Sequence, residues 1–556
     1  MHDRATVLDG LRDRPQISVL ILGGGVNGCG LFRELALQGV DCLLVDKADF
    51  VAGASSKSSR MIHGGLRYLE TREVALVRES LAERNRLIDN AAHYVSPLKT
   101  TIPLFSWLGG MVRSTLLFMG FHLPVGDRGA LITKIGLSFY DFVTRKNRRT
   151  PRHFLTSKAK SLARIPGLNR DIIATATYWD AQISQAERLC IELLADGRAA
   201  NPDCRALNYV RPEAAEGGRV LLRDEVSGER VAVEPRIVAN ATGAWVDRAN
   251  AALGLDTQFM GGTKGSHLVV DCPDLHEALG GQMVYYQHSD GRVCIVFPFG
   301  DKLLMGSTDL RIDDPDAASC DDDEIEYMLT TLRGVFPGIE VRRDQIVYVF
   351  SGVRPLPASE QGVTATITRG HFIRAIEPEG GRPFPVLCLI GGKWTTFRAL
   401  AEQAADQLLD RLSLERRCST EHIAIGGGKN CPSANERQQW IERGAGETGL
   451  SAERVATLFG RYGTAAAQFG SGDETPLKTL PDYSVGEIRR IAETEQVVHL
   501  DDLICRRSTI AILGRAAEPA LAELARTVGA ALDWDAARQA DEVSRALAEV
   551  TVPGPP

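Results

Sequence analysis

The run Ile17-Ser-Val-Leu-Ile-Leu22 is short, aliphatic and closed by Gly23-Gly24-Gly25. A continuous apolar run ended by glycine predicts a strand buried on both faces, as in a parallel sheet. A helical stretch follows through Leu37, then Gly39, then a second apolar run from Cys42 to Val45 ending at Asp46. Strand, glycine turn, helix and strand make a βαβ unit. Arg236-Ile-Val-Ala-Asn-Ala-Thr-Gly243 predicts another buried strand running into a glycine turn, and Val386-Leu-Cys-Leu-Ile390 with Gly391 and Gly392 repeats the arrangement. From about residue 255 to 350, alternating segments such as His267–Asp271 and Val293–Phe297 predict an antiparallel sheet. Beyond Gly426-Gly-Gly-Lys-Asn-Cys-Pro432, which reads as a linker, the chain is rich in Ala, Leu, Glu and Arg at helical spacing.

These elements predict an α/β protein, α+β overall. A Rossmann-like dinucleotide-binding domain, assembled from 17–100, 155–250 and 351–412, is interleaved with an antiparallel-sheet substrate domain, 101–154 and 251–350. A helical domain, 413–556, follows, and residues 1–16 are an amino-terminal extension. A chain of 556 residues is long enough for two or three cores.

Composition narrows the function. Hydrophobic residues at 44% and charged residues at 24% are ordinary for a globular enzyme, and a formal net charge of -7 argues against nucleic acid as a partner. The eleven cysteines show no CxxC pair, which predicts reduced, mostly buried thiols. The first sixteen residues mix Asp3, Asp9 and Asp13 with Arg4, Arg12 and Arg14 and have no apolar core, so a secretory signal is not expected. Thr101 to Phe121 is apolar and long enough to span a bilayer. It holds Pro103, Gly109-Gly110 and Arg113, however, and a central charge costs roughly 2.5 kcal/mol or more. The segment, with Trp107 and Phe118 and with Lys134, Arg145 and Lys146 beyond it, is expected to lie in the interface of an anionic membrane. The alternative is a buried piece of the core. Asp313 to Glu324 lacks the glycine and spacing of a calcium loop, so no metal is expected; Asp321 to Glu324 suit a helix start.

Gly23-Gly-Gly25-Val-Asn-Gly28 fits G-x-G-x-x-G, with Asp46 eighteen residues beyond Gly28. The glycines allow a tight turn, approach of backbone to a pyrophosphate and close helix packing, while Asp46 is placed to accept ribose hydroxyls. The recurrence of strand-glycine elements at Thr242-Gly243 and Gly391-Gly392 favours FAD, an extended dinucleotide held by distant segments, over NAD.

After Asp46 the chain runs Ala54-Ser-Ser-Lys-Ser-Ser-Arg-Met-Ile-His-Gly-Gly-Leu-Arg-Tyr-Leu-Glu70. This resembles the signature of FAD-dependent glycerol-3-phosphate dehydrogenases. Further matching blocks follow in order: Gly136-Leu with Tyr140-Asp141, Asn240–Val246, Lys264–His267, Gly306–Asp309, Ser351–Leu356, Ile367–Arg369, Gly391–Arg398 and Asp501–Arg507. The sequence departs from the usual wording at Arg60-Met61, where Lys-Leu is common, at Ser184 and Gln185, where two acids are usual, and at Glu187, where arginine is usual.

The resemblance implies an FAD site that includes Asn27, Ser55, Ser56, Ser59, His63, Gly64, Gly65, Leu66, Thr242, Gly243, Gly392 and Thr395 beside the first glycines. It also implies a substrate site of Arg67, Tyr68, Thr308, Arg369 and Lys393, with Arg369 gripping a phosphate. His267 is expected as the base and Arg354 as its electrostatic partner or an alternative base. The implied reaction oxidises sn-glycerol 3-phosphate to dihydroxyacetone phosphate and hands electrons to a membrane quinone. It would take place in a cytoplasmic protein attached peripherally to the inner face of the membrane, with a second copy of the chain as a candidate partner. Another polyol phosphate such as a tetritol phosphate, oxygen as acceptor, and a flavin-binding scaffold without turnover are the competing readings.

Overall fold

The computed structural model describes residues 4–65, 73–109, 129–288, 292–358 and 370–552. Two sheets organise them. The first has the path 371–376, 386–391, 230–240, 16–22, 42–45, 205–207. Strands Gln16–Leu22, Cys42–Val45, Arg205–Leu207, Arg230–Asn240 and Val386–Gly391 are parallel. Val19, Leu20 and Ile21 are wholly buried, as a strand covered on both faces requires. Because Gln16–Leu22, Arg230–Asn240 and Val386–Gly391 are parallel neighbours, their carboxyl ends lie on one edge. The glycine turns at Gly23, Gly243 and Gly391-Gly392 meet there, although they are hundreds of residues apart in sequence. Helix Val26–Leu37 leaves the first of these turns and packs on the helices Ala186–Ala200 and Phe397–Leu412. The helix Arg4–Asp13 buries Val7, Leu8 and Leu11 in the cluster on the sheet's other face.

The second sheet has ten strands, nearly all antiparallel, with Thr263–Val270 flanked by Lys302–Gly306 and Ile346–Arg354. Alternation along Thr263–Val270 sends Leu268 and Val270 to one face, against the helix Asp322–Val335, and Val269 to the other. The helix Asp322–Val335 opens with a capping box between Asp321 and Glu324, the helix start expected of that acidic run. Strands Phe154–Ser157 and Ala174–Ile183 also belong to this sheet, whereas the sequence boundaries put 155–250 with the dinucleotide-binding layer. The strand Val95–Leu104 corrects the reading of 101–121 as one interfacial segment. Thr101 to Leu104 pair with Ala174 to Thr177, and the Thr101 hydroxyl bonds Gln282, so this part is core. Residues 110–121 lie outside the described residues. No helix among the described residues is long and apolar enough to cross a membrane.

The carboxy-terminal region is helical, including Ala452–Tyr462, Val485–Thr494, Glu518–Leu532 and Ala536–Val550. Its Ile488, Leu503, Leu521 and Leu524 pack against Val269, Phe297 and Phe350 of the second sheet.

Candidate active site

A cavity of about 990 Å³ lies between the carboxyl edge of the first sheet and the second sheet. It is lined at one end by Gly23, Gly25, Asn27, Asp46 and Thr242, and at the other by His267, Arg354 and Lys393. Ligands of open parallel sheets bind at this edge.

At the first end, Gly23 has φ +101°, and a Cβ there would sit 2.7 Å from the Ala241 carbonyl oxygen. Gly25 precedes the helix and has no side chain to cap it, so the helix start lies on the cavity wall, the arrangement that suits a pyrophosphate. The Asp46 carboxylate accepts from the backbone N–H groups of Gly24 (2.6 Å) and Ala48 (2.9 Å). Burial pushes its carboxyl up to about 6, and among the described residues no cation bonds it. A half-buried carboxylate held by amides, with lone pairs to spare, fits the hydroxyls of a ribose. Among the described residues the Oδ1 atom of Asn27 is buried without a hydrogen-bond partner.

Several predicted cofactor residues are tied by hydrogen bonds within the protein, and of these Ser55, Thr242 and Thr395 line the cavity. Ser55 accepts from the Val26 N–H (2.9 Å), so it caps the first helix. Ser56 donates to the Gly53 carbonyl, and Thr242 donates to Asn240 (2.7 Å). Thr395 accepts from the His63 N–H (3.1 Å) and donates to the His63 carbonyl, so it pins the strand end that leads to Gly64 and Gly65. Gly65, Gly243 and Gly392 have φ +76°, +62° and +98°, conformations that glycine adopts without strain. Leu66, Arg67, Tyr68 and Arg369 lie outside the described residues.

At the other end, His267 is 2% exposed, stacks on Phe350 with ring centroids 5.0 Å apart, and has Ser59 Oγ 2.8 Å from Nε2. Burial, then the charges of Arg354 and Arg60, push its imidazole down to about 3, so the resting ring is neutral. The Arg354 guanidinium donates to Asp309 (3.0 Å), Ser307 (3.1 Å) and the carbonyls of Lys264 and Thr308. Guanidinium does not lose its proton in proteins, so this locked group supplies a fixed positive charge and not the base. Lys393 is buried and donates to Ser80 (2.7 Å). Thr308 gives its proton to Glu324 and accepts from the Ser266 N–H (2.9 Å), so its hydroxyl supports the strand pair instead of donating into the cavity.

Two features escaped the sequence reading. Asp180, buried in the cavity wall, accepts from the Gly64 N–H (3.2 Å), the Tyr140 hydroxyl (2.8 Å) and Arg84 (3.1 Å), and so holds the His63–Gly65 turn. Arg60 and Glu187, both departures from the usual wording, form a buried ion pair with each other. Among the described residues no group of three His, Cys, Asp or Glu side chains is placed to hold a metal.

Residues 18–406 match the FAD dependent oxidoreductase family, and residues 418–539 match the C-terminal domain of alpha-glycerophosphate oxidase. A glycerol-3-phosphate dehydrogenase of Synechocystis sp. is 31% identical over 537 residues, spanning 90% of this chain and 91% of that protein. The chain belongs to the FAD-dependent glycerol-3-phosphate dehydrogenase family. An aerobic glycerol-3-phosphate dehydrogenase of Staphylococcus epidermidis is 28% identical over 520 residues, covering 90% of this chain and 87% of its own length. The fold is that of the glycerol-3-phosphate dehydrogenase of Bacillus halodurans complexed with FAD, with a TM-score of 0.76 at 21% identity over 98% of this chain and 97% of that one. FAD is the cofactor of the family, and the glycine turns, the amide-held Asp46 and the orphaned Asn27 oxygen fit it.

Proposed function

We propose that this protein oxidises sn-glycerol 3-phosphate to dihydroxyacetone phosphate and passes the electrons to a membrane quinone. The observation that carries the reading is a neutral, buried His267 beside Ser59, in one cavity with the cations Arg354 and Lys393 and the glycine turns. FAD, when bound, supplies the acceptor for the hydride that leaves the carbinol carbon. The protein must then remove the hydroxyl proton and hold the phosphate. His267 Nε2 takes the proton, directly or through Ser59 Oγ. Burial first, and then the charges of Arg354 and Arg60, hold the resting ring neutral, and an incoming phosphate dianion opposes the second of these causes. Lys393 contributes to the phosphate site, together with Arg67, Tyr68 and Arg369.

Anaerobic mixing of the purified holoenzyme with sn-glycerol 3-phosphate is expected to bleach the flavin band, with glycerol inert at the same concentration. No bleaching by the phosphate ester overturns the substrate. The match of residues 418–539 to an oxidase domain favours a second acceptor, oxygen. Stoichiometric peroxide that is unaffected by a quinone analogue would establish that acceptor and remove the quinone.

Attachment to the cytoplasmic face of an anionic membrane belongs to the same reading. The helix Ala130–Val143 leaves Leu131, Ile135 and Phe142 exposed, at 43%, 62% and 54%. Its first turn is hydrogen-bonded to the 106–109 loop, where Trp107 and Leu108 are each 61% exposed. Lys134 on the same helix is exposed, as are Arg145, which lies over the Phe142 ring at 4.2 Å, and Lys146 and Arg152 beyond the helix. An apolar face rimmed by cations suits an anionic bilayer surface. Trp107→Ala and Ile135→Glu are each expected to weaken flotation with phosphatidylglycerol vesicles by about tenfold or more. Unchanged flotation of the double variant counts against the surface.

A further inference from the structure

The carboxy-terminal helical domain touches the dinucleotide-binding layer at a place that bears on the cofactor. Asp49, three residues beyond Asp46 in the turn after the second strand, is almost fully buried. Its carboxylate receives both terminal nitrogens of Arg507 (2.8 Å each), Nε of Arg506 and Nδ2 of Asn208 (2.8 Å). Both arginines belong to the carboxy-terminal domain, more than 450 residues away in sequence. Two adjacent residues of a regular helix point about 100° apart. Leu503–Arg507 is instead a π turn, an element that recurs at functional sites, and both of its arginines converge on one carboxylate.

The contact leads on to the cofactor site. Asp49 is joined through Ala48 to Asp46: the Ala48 N–H donates to the Asp46 carboxylate (2.9 Å), and its carbonyl accepts from Tyr209 (2.8 Å). Val51 holds φ +68°, a conformation rare for a β-branched residue, and its N–H donates to the Gly24 carbonyl (3.0 Å). The segment from Asp46 to Val51 is thus fixed at one end by the glycine turn and in its middle by two guanidiniums. Arg507 is fully buried, and its own Nε donates to the Glu495 carbonyl (3.1 Å). A buried bidentate pair fixes geometry as well as charge.

We propose that the carboxy-terminal domain is part of the adenosine-binding site, with Arg506 and Arg507 as positioning residues that set Asp46 for the ribose of FAD. The inference rests on the FAD site alone and is independent of the substrate. Lys429 and Asp196 join the same two domains by an ion pair that touches neither the 46–51 segment nor the two arginines, which provides a control.

The test is calorimetric binding to the full-length apoprotein, with ADP and FMN as probes of the two halves of the cofactor and FAD as the whole. Wild-type binding of ADP checks the adenosine site itself. Arg507→Lys and Arg506→Gln are expected to weaken ADP and FAD by about tenfold or more. FMN binding should be unchanged, and Lys429→Gln should leave all three ligands unaffected. Unaltered ADP affinity in both arginine variants overturns the proposal. So does an equal loss of ADP and FMN binding, or a matching loss of ADP binding in Lys429→Gln, since each would mark a general loosening of the fold. If Arg507→Lys does not fold, Arg506→Gln decides alone, because Arg507 still holds Asp49 in that variant.

Discussion

His267→Gln is expected to lower kcat about 100- to 10,000-fold while FAD stays bound, the range lost when a positioned general base is removed. Glutamine keeps a polar group near Ser59 but accepts no proton at neutral pH. Strand alternation puts residue 267 on the cavity face, and the stack on Phe350 with the Ser59 bond fixes the ring. An enzyme that retains more than about a tenth of wild-type kcat would remove His267 from the chemistry. Acid stability supplies an independent readout. The imidazole is pushed down from 6.5 to about 3 in the folded protein, so below 6.5 the unfolded chain binds more protons than the folded one. This group's contribution is complete above about 6.5 and is lost as the pH falls towards 3. His267→Gln should therefore lose less stability than wild type between pH 6.5 and 4, as measured by urea midpoints.

The parallel strands were legible because strands covered on both faces must be nearly all apolar, and the runs Ile17–Leu22, with Ser18 the exception, and Val386–Ile390 are. The helical carboxy-terminal region was legible from its spacing. Pairing was not: nothing in Ala174–Ile183 states that it lies beside Val95–Leu104, since an apolar strand carries no address for its neighbour. For the same reason the stretch from Thr101 read as one candidate membrane segment. Buried strand and interfacial loop share a composition, and Thr101 to Leu104 turn out to be core.

The site divides along a similar line. Residue types dictated by backbone geometry or a single charge, such as Gly23, Gly28 and Asp46, are legible in their spacing, and the fold brings them to one turn. Hydroxyls do not. Ser55, Thr308 and Thr395 stand in the expected blocks, yet their hydrogen bonds go to a helix start, to Glu324 and to the His63 backbone. A sequence shows that a donor exists but not where it points. Arg60 and Glu187 differ in being visible as two unusual residues whose relation was hidden. In the fold they form one buried ion pair, in which neither charge is left uncompensated.

Gly28→Ala is expected to give a protein without flavin. A methyl group at this position would lie far inside contact distance of the Gly23 carbonyl oxygen, which is backbone and has no side chain to turn aside. Relief requires helix Val26–Leu37 to lift from the strand that precedes it. That helix is buried along most of its length between two others, so the movement would disturb the cluster containing Cys29, Leu31, Phe32 and Leu35. Overpacking of this kind costs about 1–3 kcal/mol or more. The larger effect falls on the cofactor, because the same displacement moves the helix start away from the pyrophosphate position and Gly24 away from Asp46. An FAD affinity lower by about 100-fold or more is the expected result, with the apoprotein folded at a reduced Tm. Flavin content of the purified variant and FAD titration of the apoprotein measure it. Normal flavin content would mean that the cofactor does not lie on this turn, and the placement of the adenosine half at Asp46 would fall with it.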